Sequence, residues 1–524
     1  MIPNYLTTTQ TANIQAAIQQ PNAGVLPACP NFSEDDPAKL QQVKQSLVHW
    51  LKRADPYRNS FYTLDDSGSG RLLADTFKNI ARYCVGQKEW NVYDGIRWVP
   101  DKEAHKVTEL CKLLGDAYRE YADDCISFPD NDEGKQRKKA FNRYLGRWFN
   151  HSQRQKIIED AASVYSLSVD AFDQNPLLLN CRNGTYNLQT LQFQLHNSED
   201  RLTRLADVVY DESARSERFE QFIDEIMCGD KETARFLQKA LGYCLSGETY
   251  LECMFFLHGR LTRNGKSTLM ETVLNVLGDY GKATRPEVIM SASKYASPSA
   301  ANEGVARLFG VRMTSVPEPD KGMRLNAALI KSLTGNDRIT ARYLYQNSFE
   351  FRPQFKIIVN ANNLPLVNDM TLFDSHRIYV IPFNRHFEDN EQDRSLKQTF
   401  AQDDVKSAVL NWLIEGYKLL KAEGLNPPAS VQASTSEYAQ DSDTFKQFLD
   451  DCLFPQPGFM LRTADVYARY QDWCGMNHID PDCQKVFNES LKRIGRVERK
   501  CPTRIPGDNR GNNKTTVLCD YRLK

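Results

Sequence analysis

The chain has 524 residues, of which 41% are apolar and 25% are charged, and its formal net charge is −1. Such a length predicts about two to four domains, and such a composition excludes a chain that is disordered throughout. A nearly neutral chain also excludes binding of nucleic acid through a global positive field, so any such binding requires local clusters of basic residues.

The N-terminal segment MIPNYLTTTQTANIQ has neither a basic start nor an apolar core, and no run of about 18 apolar residues occurs in the chain. We therefore expect no secretory signal, no membrane span and a cytoplasmic location.

The thirteen cysteines are scattered and form no Cys-x-x-Cys pair, which is typical of thiols in a reducing compartment. Cys452, Cys474, His478 and Cys483 come nearest to a metal cluster. Because they lack a paired-cysteine knuckle, buried thiols are the preferred interpretation, and a zinc site is the alternative.

The N-terminal part begins with a polar, glutamine-rich segment at 1–60 and continues as a region of mixed patterns at 61–235. KEWNVYDGIRWVPD predicts a hairpin that turns at 94–95, and LLLNCRNGTYNLQTLQFQLH predicts a second hairpin that turns at 183–184. Apolar residues at 219–245 have helical spacing. We expect a mixed α+β domain.

The stretch FFLHGRLTRNGKSTLMETVLNVLG, residues 255–278, predicts a strand, a loop and a helix in that order. This order and the Gly-Lys-Ser at 265–267 are typical of a phosphate-binding loop, whose usual spacing requires glycine at 260. Here residue 260 is Arg, and the glycine is Gly259. We expect the additional residue to bulge toward solvent in a working loop; the alternative is a chance glycine and lysine before a helix.

A working loop of this kind predicts ATP and Mg²⁺ as cofactors. Backbone N–H groups at the start of the helix hold phosphates, Lys266 reaches the β and γ phosphates, and the Ser267 hydroxyl ligates Mg²⁺. The residues expected to bind the nucleotide are Gly259, Thr262, Asn264, Gly265, Lys266, Ser267 and Thr268.

Four further residues near strand ends complete a predicted ATPase site. GVRMTSVPEPD predicts a short strand that ends near Glu318 and Asp320, whose carboxylates can hold Mg²⁺ and activate the attacking water. FKIIVNANNLP predicts a buried strand that ends near Asn362, a sensor for the γ phosphate. Arg377 precedes another apolar strand and can stabilise the charge of phosphoryl transfer on a neighbouring subunit's nucleotide. Taken singly, these residues could be a solvated acidic pair, a turn asparagine and a surface arginine. Their order after one phosphate-binding loop favours catalysis.

The run RLNAALIKSLTGNDRITARYLYQNSFEFRPQFKIIVNANNLP, followed by HRIYVIPF, resembles the superfamily 3 helicases, specifically the primase-helicase family of poxviruses, phages and plasmids. In that family the loop ends in Asn-Gly-Lys-Ser, as residues 264–267 do here. The resemblance implies an AAA-type ATPase that forms a ring, usually a hexamer, and moves along single-stranded DNA to separate duplex in the 3′ to 5′ direction. It also implies replication of a phage, plasmid or other mobile element, near the nucleoid in a bacterial host.

Two features depart from the family pattern. Thr262 and Arg260 stand where family loops usually carry glycine, and the acidic motif reads Pro-Glu-Pro-Asp where the family more often has Glu, a small residue and Glu. These departures concern the rate and the nucleotide preference, since the residues that carry the chemistry are in place: Lys266, Ser267, Glu318, Asn362 and Arg377.

The segment between the acidic motif and the sensor strand is expected to contact DNA. ITARYLYQNSFEF alternates like two short strands that turn near 346–347, and the resemblance implies that this hairpin projects into the ring channel. The alternative is an ordinary hairpin packed on the core. The residues expected to bind DNA are Lys331, Arg342, Tyr345, Gln346 and Asn347, with Tyr343 or Tyr345 stacking on bases.

The C-terminal part begins after a polar stretch at 426–443 that predicts a linker. Residues 444–524 resemble the winged-helix domain that often closes chains of this family. SLKRIGRVERK has helical spacing and RIPGDNRGNNKTTVLCDYRL predicts a Gly-rich wing, so we expect Lys492, Arg493 and Arg496 to contact DNA. The alternatives are a solvated charged face and a docking site for a protein partner.

The expected fold is therefore multidomain α/β. It comprises a mixed α+β N-terminal collar at 61–235, a three-layer AAA-type P-loop ATPase core at 236–425, the linker, and a C-terminal winged-helix domain.

Other functions can be weighed against a helicase. Direct primer synthesis is disfavoured because the acidic pairs in YADDC and DNDE lack the strand context of a two-metal polymerase site. An origin-binding initiator that uses ATP only for assembly is an alternative, although Glu318 and Arg377 favour turnover. A metabolic kinase is disfavoured by the DNA-type hairpin. The expected partners are single-stranded and forked DNA, further copies of the chain in a homo-hexamer, and a replication initiator or primase, with no membrane.

Overall fold

The computed structural model describes residues 25–32, 37–291, 303–344, 347–477, 481–494, 497–500 and 515–524. They form a multidomain α/β protein whose largest sheet is parallel and has five strands. Much of the polar segment expected at 1–60 lies outside the described residues, but Pro37–Ala54 is a helix. None of the described helices combines the length and the apolar character that crossing a bilayer requires.

An N-terminal unit has its own core. Its elements are helices α1 (Pro37–Ala54), α2 (Asp66–Phe77), α3 (His105–Cys125), α4 (Asp132–Leu145) and α5 (His151–Val164), and antiparallel strands β1 (Ala81–Cys84), β2 (Glu89–Tyr93) and β3 (Trp98–Asp101). Aromatic rings dominate this core: Tyr118 meets Phe141 and Trp148 edge to face, with centroids 6.2 and 6.0 Å apart.

The first predicted hairpin is confirmed by strands β2 and β3. Asp94 Oδ1 accepts hydrogen bonds from the backbone N–H groups of Ile96 and Arg97, both at 2.8 Å, and Gly95 has a φ of +102°. A side chain that bonds to the following backbone and a glycine at positive φ are what a tight turn requires.

The second predicted hairpin is also present, but its turn lies one residue earlier than expected. Strands β4 (Leu178–Cys181) and β5 (Gly184–Asn187) pair directly, so the turn is 182–183, and β5 pairs onward with β6 (Gln192–Gln194). The helices predicted at 219–245 follow as α6 (Glu217–Ile226) and α7 (Lys231–Tyr243).

Helix α7 packs against the core of the central domain, although the sequence placed a domain boundary at 235. It contacts helix α12 (Asp403–Glu423) so closely that a Cβ on Gly242 would lie 2.4 Å from the Tyr417 nitrogen. A Cβ on Gly416 would likewise lie 2.1 Å from the Gln238 carbonyl oxygen. Strand β4 and helix α6 share this core. The change of core therefore comes before β4 and not at 235.

The central sheet contains β7 (Met254–His258), β8 (Gly281–Ala283), β9 (Met313–Val316), β12 (Lys356–Ala361) and β13 (Ile378–Pro382). Their order across the sheet is β13-β7-β12-β9-β8, and every neighbouring pair is parallel. Phe255 and Leu257 pack into one core, whereas Met254 and Phe256 pack into the other, on the opposite face. Both faces of the sheet are thus buried, as a parallel sheet requires.

Further elements cover these faces or leave the sheet. They are α8 (Lys266–Leu277), α9 (Ala327–Thr334), α10 (Thr371–Asp374), α11 (Leu396–Phe400), and the antiparallel pair β10 (Ile339–Arg342) and β11 (Ser348–Phe351). The pair confirms the hairpin expected between the acidic motif and the sensor strand.

Two buried cations support the amino ends of the sheet strands. Lys356 Nζ donates to the backbone carbonyls of Glu248 and Gln354, both at 3.2 Å, and lies 4.5 Å from the centroid of the Tyr243 ring. Arg312 donates to the Leu178 carbonyl at 2.6 Å. Burial lowers the pKa of Lys356 to about 7. These cations therefore join β4 and the segment before β7 to the sheet.

The stretch expected as a linker at 426–443 is mostly a helix, α13 (Ala429–Ser442). Val431 and Tyr438 are buried, and the Tyr438 hydroxyl donates to the Pro365 carbonyl at 2.5 Å. The hydroxyl of Thr435 accepts a hydrogen bond of 3.0 Å from the Val380 N–H of the edge strand β13. The helix therefore belongs to the domain of the central sheet, which corrects the prediction of a linker.

The C-terminal unit has a separate core. Its elements are α14 (Thr444–Cys452), β14 (Leu453–Arg462), α15 (Thr463–Met476), α16 (Gln484–Ile494), β15 (Val497–Lys500) and β16 (Thr515–Leu523), with sheet order β14-β16-β15. Tyr470 and Phe487 stack in this core with centroids 4.6 Å apart. The loop of the expected wing lies outside the described residues.

Candidate active site

The predicted phosphate-binding loop, residues 259–265 and called the phosphate loop below, joins β7 to α8. Residues 260–263 are exposed, whereas Gly259, Asn264 and Lys266 are buried. The additional residue therefore lies on the solvent side, as the sequence predicted. The Asn264 side chain closes this bulge by donating to the Leu261 carbonyl at 2.6 Å.

The two loop glycines occupy positions that no side chain could share. A Cβ on Gly259 would lie 2.4 Å from the Phe383 carbonyl oxygen and 2.5 Å from Asn264 Nδ2. Gly265 has a φ of +83°, and a Cβ there would lie 2.4 Å from Ile226. Gly265 caps helix α8, so the N–H groups of the first turn point out of the helix toward the loop, where anions bind.

Three predicted residues meet at the carboxyl ends of β7, β12 and β9. Lys266 Nζ donates to Asn362 Oδ1 at 2.7 Å. Asn362 in turn donates to Glu318, from Nδ2 at 2.7 Å and from its backbone N–H at 3.2 Å. A cation, an amide and a carboxylate thus form one chain of hydrogen bonds, although residues 266 and 362 are far apart in sequence.

The charge of Lys266 is affected by its burial. Burial lowers the pKa of Lys266 to about 8, and the Glu318 carboxylate opposes this shift. When an ammonium group has lost part of its hydration, a neighbouring anion stabilises its charged form in place of the missing water. Its burial therefore suits Lys266 to the phosphate contact that the sequence predicts.

The residues predicted to hold Mg²⁺ fit that role. Ser267 lies in the first turn of α8 and Asp320 lies just beyond Glu318; both are exposed, and neither side chain is hydrogen bonded to another described residue. Glu318 is also exposed. Mg²⁺ typically takes one or two protein oxygens together with substrate phosphates and water, and this hydroxyl and these carboxylates offer such oxygens.

The structure does not bring Arg377 to the phosphate loop of its own chain. Arg377 precedes β13, so it lies at the amino edge of the sheet, where its carbonyl accepts from the Met254 N–H at 2.8 Å. Its guanidinium forms an ion pair with Glu252 and donates to Thr334 Oγ1 at 2.8 Å. Only 17% of the side chain is exposed. Action on a neighbouring subunit stays a prediction.

Sequence reasoning missed residues that brace the loop and the carboxylate. Asn363 Nδ2 donates to Glu318 Oε1 at 3.3 Å, and Arg260 forms a 2.7 Å ion pair with Glu437 of α13. His386 Nδ1 lies 2.8 Å from the Thr262 carbonyl oxygen, and the Phe387 N–H donates to the Arg263 carbonyl at 2.9 Å. Of these residues, Asn363 alone could have been suspected from the sequence, because it directly follows Asn362 in NANNLP.

The predicted DNA hairpin has a mixed surface. Arg342 and Asn347 are exposed, whereas Lys331 is held by Asp369 in a 2.7 Å ion pair. Tyr343 stacks on Phe349 with centroids 5.5 Å apart, so its ring is engaged within the protein. Tyr345 and Gln346 lie outside the described residues.

The C-terminal candidates are only partly described. Lys492 is exposed on α16, Arg496 lies outside the described residues, and Arg493 lies in the same helix without a described side chain. His478, from the zinc alternative, is also outside them. Among the described residues no group of three or more His, Cys, Asp or Glu is placed to hold a metal, and Cys452 and Cys474 are buried.

The acidic pairs considered for primer synthesis lie on the N-terminal unit. Asp123 and Asp124 are exposed near the end of α3, and Asp124 pairs with Lys52 at 2.8 Å. Asp132 begins α4, where acidic residues favour the helix dipole. Both pairs therefore have ordinary surface and helix-end contacts.

The chain resembles proteins of large DNA viruses. The family model described as D5 N terminal like matches residues 70–228. A candidate helicase of Acanthamoeba polyphaga mimivirus is 25% identical over 526 aligned residues, which cover 94% of this chain and 52% of the relative. A candidate helicase of Frog virus 3 is 29% identical over 47% of this chain and 27% of the relative.

A candidate primase of African swine fever virus is 23% identical over 65% of this chain and 38% of the relative. The chain spans about half the length of the mimivirus relative and less of the other two. The apo C-terminal region of NrS-1 aligns with 86% of this chain and 98% of that chain at 9% identity, with a TM-score of 0.45, too low to support an argument.

The viral relatives and the matched domain agree with the resemblance first indicated by the loop and sensor motifs. Together these similarities support a D5-like family of superfamily 3 helicases and primases for this chain.

Proposed function

We propose that this chain is the ATP-hydrolysing motor of a ring-shaped DNA helicase that acts in replication. The observation that carries the proposal is the hydrogen-bonded chain of Lys266, Asn362 and Glu318 at the carboxyl ends of three neighbouring parallel strands. Ligands of open parallel sheets bind outside this edge. The viral relatives named as helicases support a nucleic acid as the substrate, and the proposed nucleic acid is DNA.

Each residue of the site has a proposed part in hydrolysis. Lys266 binds the β and γ phosphates, and the α8 N–H groups hold the phosphates nearer the nucleoside. Mg²⁺ would be held by Ser267 with Glu318 and Asp320, and it would neutralise charge on the phosphates. Glu318 accepts a proton from the attacking water, and Asn362 orients that water.

The order of the strands supports the AAA-type assignment. β12 lies between the loop strand β7 and the acidic strand β9, so Asn362 at its end can reach both Lys266 and Glu318. A sensor between the phosphate-binding lysine and the base is suited to report the presence of the γ phosphate. This arrangement favours turnover over an initiator that only binds ATP.

The proposed DNA contacts come from the β10–β11 hairpin and the C-terminal unit. Arg342 extends into solvent at the hairpin, and the helix and strands of the C-terminal unit have the order that a winged helix requires: helix, strand, two helices and two strands. Basic residues along α16 would contact phosphates of duplex DNA. A hexameric ring would bring the hairpins of several subunits to one strand.

Strand separation tests the proposal directly. Forked DNA with a 3′ or a 5′ single-stranded tail is incubated with protein and ATP, and release of the labelled strand is followed. We expect release from the 3′-tailed substrate, no release with Lys266→Ala, and normal release with the control Lys231→Ala, because Lys231 is an exposed lysine (77%) on α7.

Negative-stain microscopy of the same samples tests the ring. ATP-dependent rings with release of the strand support a helicase. ATP-dependent rings that bind DNA but never release a strand would contradict the motor and favour the initiator alternative. New primer strands made from nucleotides would favour the primase alternative.

A further inference from the structure

A cavity of about 320 Å³ lies beside the phosphate loop, and none of the roles described so far uses it. Gly265 and Thr268 border it, and its apolar wall is formed by Phe222, Phe387 and Leu396. We propose that this Phe387 cavity binds the nucleoside of ATP, with the base stacked on the Phe387 ring. The inference rests on the proposed ATP site and assigns the part of the nucleotide that the phosphate loop does not hold.

The direction of the phosphate chain follows from the Lys266 contacts. Lys266 donates to Asn362 at the end of β12, and Asn362 donates to Glu318 beyond the end of β9. Both strands lie on the same side of β7 in the sheet. The terminal phosphate therefore lies on that side, and the nucleoside must extend toward the other side, where β13 and the segment after it are found.

The start of α8 connects the phosphates to the cavity. Its first N–H groups hold the phosphates nearer the nucleoside, and Thr268 lies in this first turn and borders the cavity. A nucleoside attached at this point enters the Phe387 cavity without crossing the loop. The volume lies at the lower end of the range of about 300 to 1,000 Å³ that is typical of small-molecule sites.

Phe387 is positioned by the loop itself. Its backbone N–H donates to the Arg263 carbonyl at 2.9 Å, and its partly buried ring packs on the main core. The Arg385 guanidinium lies 4.7 Å from the ring centroid and restrains the ring further. A ring held at a fixed place beside the loop costs little entropy when a base stacks on it, because it is ordered beforehand.

Gln392 at the same cavity gives the site a preference among bases. Its Nε2 donates to Asp389 Oδ1 at 3.1 Å and to the Phe387 carbonyl at 3.5 Å. Since both partners can only accept, the amide orientation is fixed and leaves Oε1 as an acceptor. The amino group of adenine can donate to this oxygen, whereas hypoxanthine presents a carbonyl at the same place. ATP should therefore bind more tightly than ITP.

A second cavity is the competing location. It measures about 640 Å³ and borders the first half of the loop at Gly259 and Leu261. Arg260 and Glu437, which pair at 2.7 Å, both line it. This cavity lies next to the bulged part of the loop rather than the first turn of α8, so the attachment point of the nucleoside favours the Phe387 cavity.

Calorimetric titration of the full chain with Mg-ATP, ITP and inorganic tripolyphosphate tests the inference. Phe387→Leu keeps the apolar packing but removes the stacking ring; it should weaken ATP binding about tenfold and leave tripolyphosphate binding unchanged. Phe387→Tyr keeps the ring and should retain the affinity. Leu261→Ala, in the second cavity, should change neither, and wild-type protein should prefer ATP to ITP. Lys266→Ala should weaken both ATP and tripolyphosphate.

Several outcomes would overturn the inference. Equal ATP affinity in Phe387→Leu and wild-type protein would show that the base does not stack on the Phe387 ring. Weaker ATP binding in Leu261→Ala, with tripolyphosphate unchanged, would place the nucleoside in the second cavity. Absence of tripolyphosphate and ATP binding in the wild-type protein would refute the phosphate site itself, which separates that failure from a failure of the Phe387 cavity. Thermal unfolding of each variant checks that the fold is intact.

Discussion

The Nζ atom of Lys266 lies 2.7 Å from Oδ1 of Asn362, so the side chain expected to bind phosphate is already bound by the expected sensor. Asn362 simultaneously donates to Glu318 at 2.7 Å. A bound phosphate would replace the Asn362 amide oxygen as the acceptor of Lys266, because an anion is a stronger acceptor for an ammonium group than a neutral amide. Nucleotide binding should therefore be sensed by Asn362 and passed to the carboxylate.

The first prediction concerns this amide. Asn362→Ala should slow ATP hydrolysis by about 100-fold and change ATP affinity only slightly, because an orienting group matters most in the transition state. Steady-state hydrolysis and ATP titration measure the two effects. Asn363→Ala is the matched control: it loses one hydrogen bond of 3.3 Å to Glu318 and should have a much smaller effect. Equal effects of the two variants would contradict a special role of Asn362.

The second prediction separates binding from turnover. Lys266→Ala should abolish hydrolysis mainly by weakening ATP binding, whereas Glu318→Gln should abolish hydrolysis and leave binding nearly intact. Titration with ATP, combined with measurement of released phosphate, distinguishes the two. Turnover at the wild-type rate in Glu318→Gln would assign the general base elsewhere, with Asp320 as the next candidate.

The third prediction concerns Arg377, which pairs with Glu252 within its own chain. Arg377→Ala should lower the free energy of unfolding by on the order of 1 to 2 kcal/mol, since it leaves Glu252 and Thr334 without their donor. Denaturant unfolding measures this loss. If stability were unchanged and mixing with Lys266→Ala restored lost hydrolysis, Arg377 would act across a subunit interface instead.

The fourth prediction follows from the buried ammonium group of Lys356. The pKa of this lysine is about 7 in the folded protein, against an ordinary value of 10.5, so the unfolded chain binds more protons between these two values. Its contribution to the free energy of unfolding therefore rises as the pH rises above about 7. The melting temperature of Lys356→Met should rise less between pH 7 and pH 9 than that of the wild type, as measured by calorimetry.

An exposed lysine provides the control for this pH dependence. Lys231→Met should follow the wild-type profile, since Lys231 is 77% exposed. Identical profiles for Lys356→Met and the wild type would show that Lys356 keeps its proton after folding.

The fifth prediction concerns the C-terminal unit, whose core is separate from those of the central sheet. A chain that ends at Asp443 should keep its ATP hydrolysis, bind duplex DNA more weakly and show a smaller salt dependence of binding, because fewer counterions are released. Fluorescence anisotropy at several salt concentrations measures both effects. Unchanged affinity and slope would favour docking of a protein partner.

Local patterns were sufficient to predict the elements around the site. The β7 strand, the α8 helix and the hairpins follow from periodicity and turn residues, which act over a few neighbours. Helix α13 could not be found this way. Its sequence is largely polar, with Val431 and Tyr438 as its buried apolar anchors, and its place depends on contacts with strands far away in the sequence.

The residues of the candidate site also differ in how far the sequence could predict their positions. Glu318 and Asn362 each follow a strand, so their meeting at the carboxyl edge follows from parallel pairing once the sheet order is known. Arg377 precedes its strand, which puts it at the opposite edge. Its Glu252 partner is 125 residues away in sequence, and no local pattern indicates such a pair.

Helix α13 gives the molecule a mechanical connection. Its Glu437 holds the phosphate loop through Arg260, its Thr435 holds the edge strand β13, and Asp443 both ends α13 and caps α14 of the C-terminal unit. A rotation of this helix would displace its contacts with the loop and β13 together with its end at Asp443. If the C-terminal unit binds DNA as proposed, a movement of that unit can reach the loop through Asp443 and this helix.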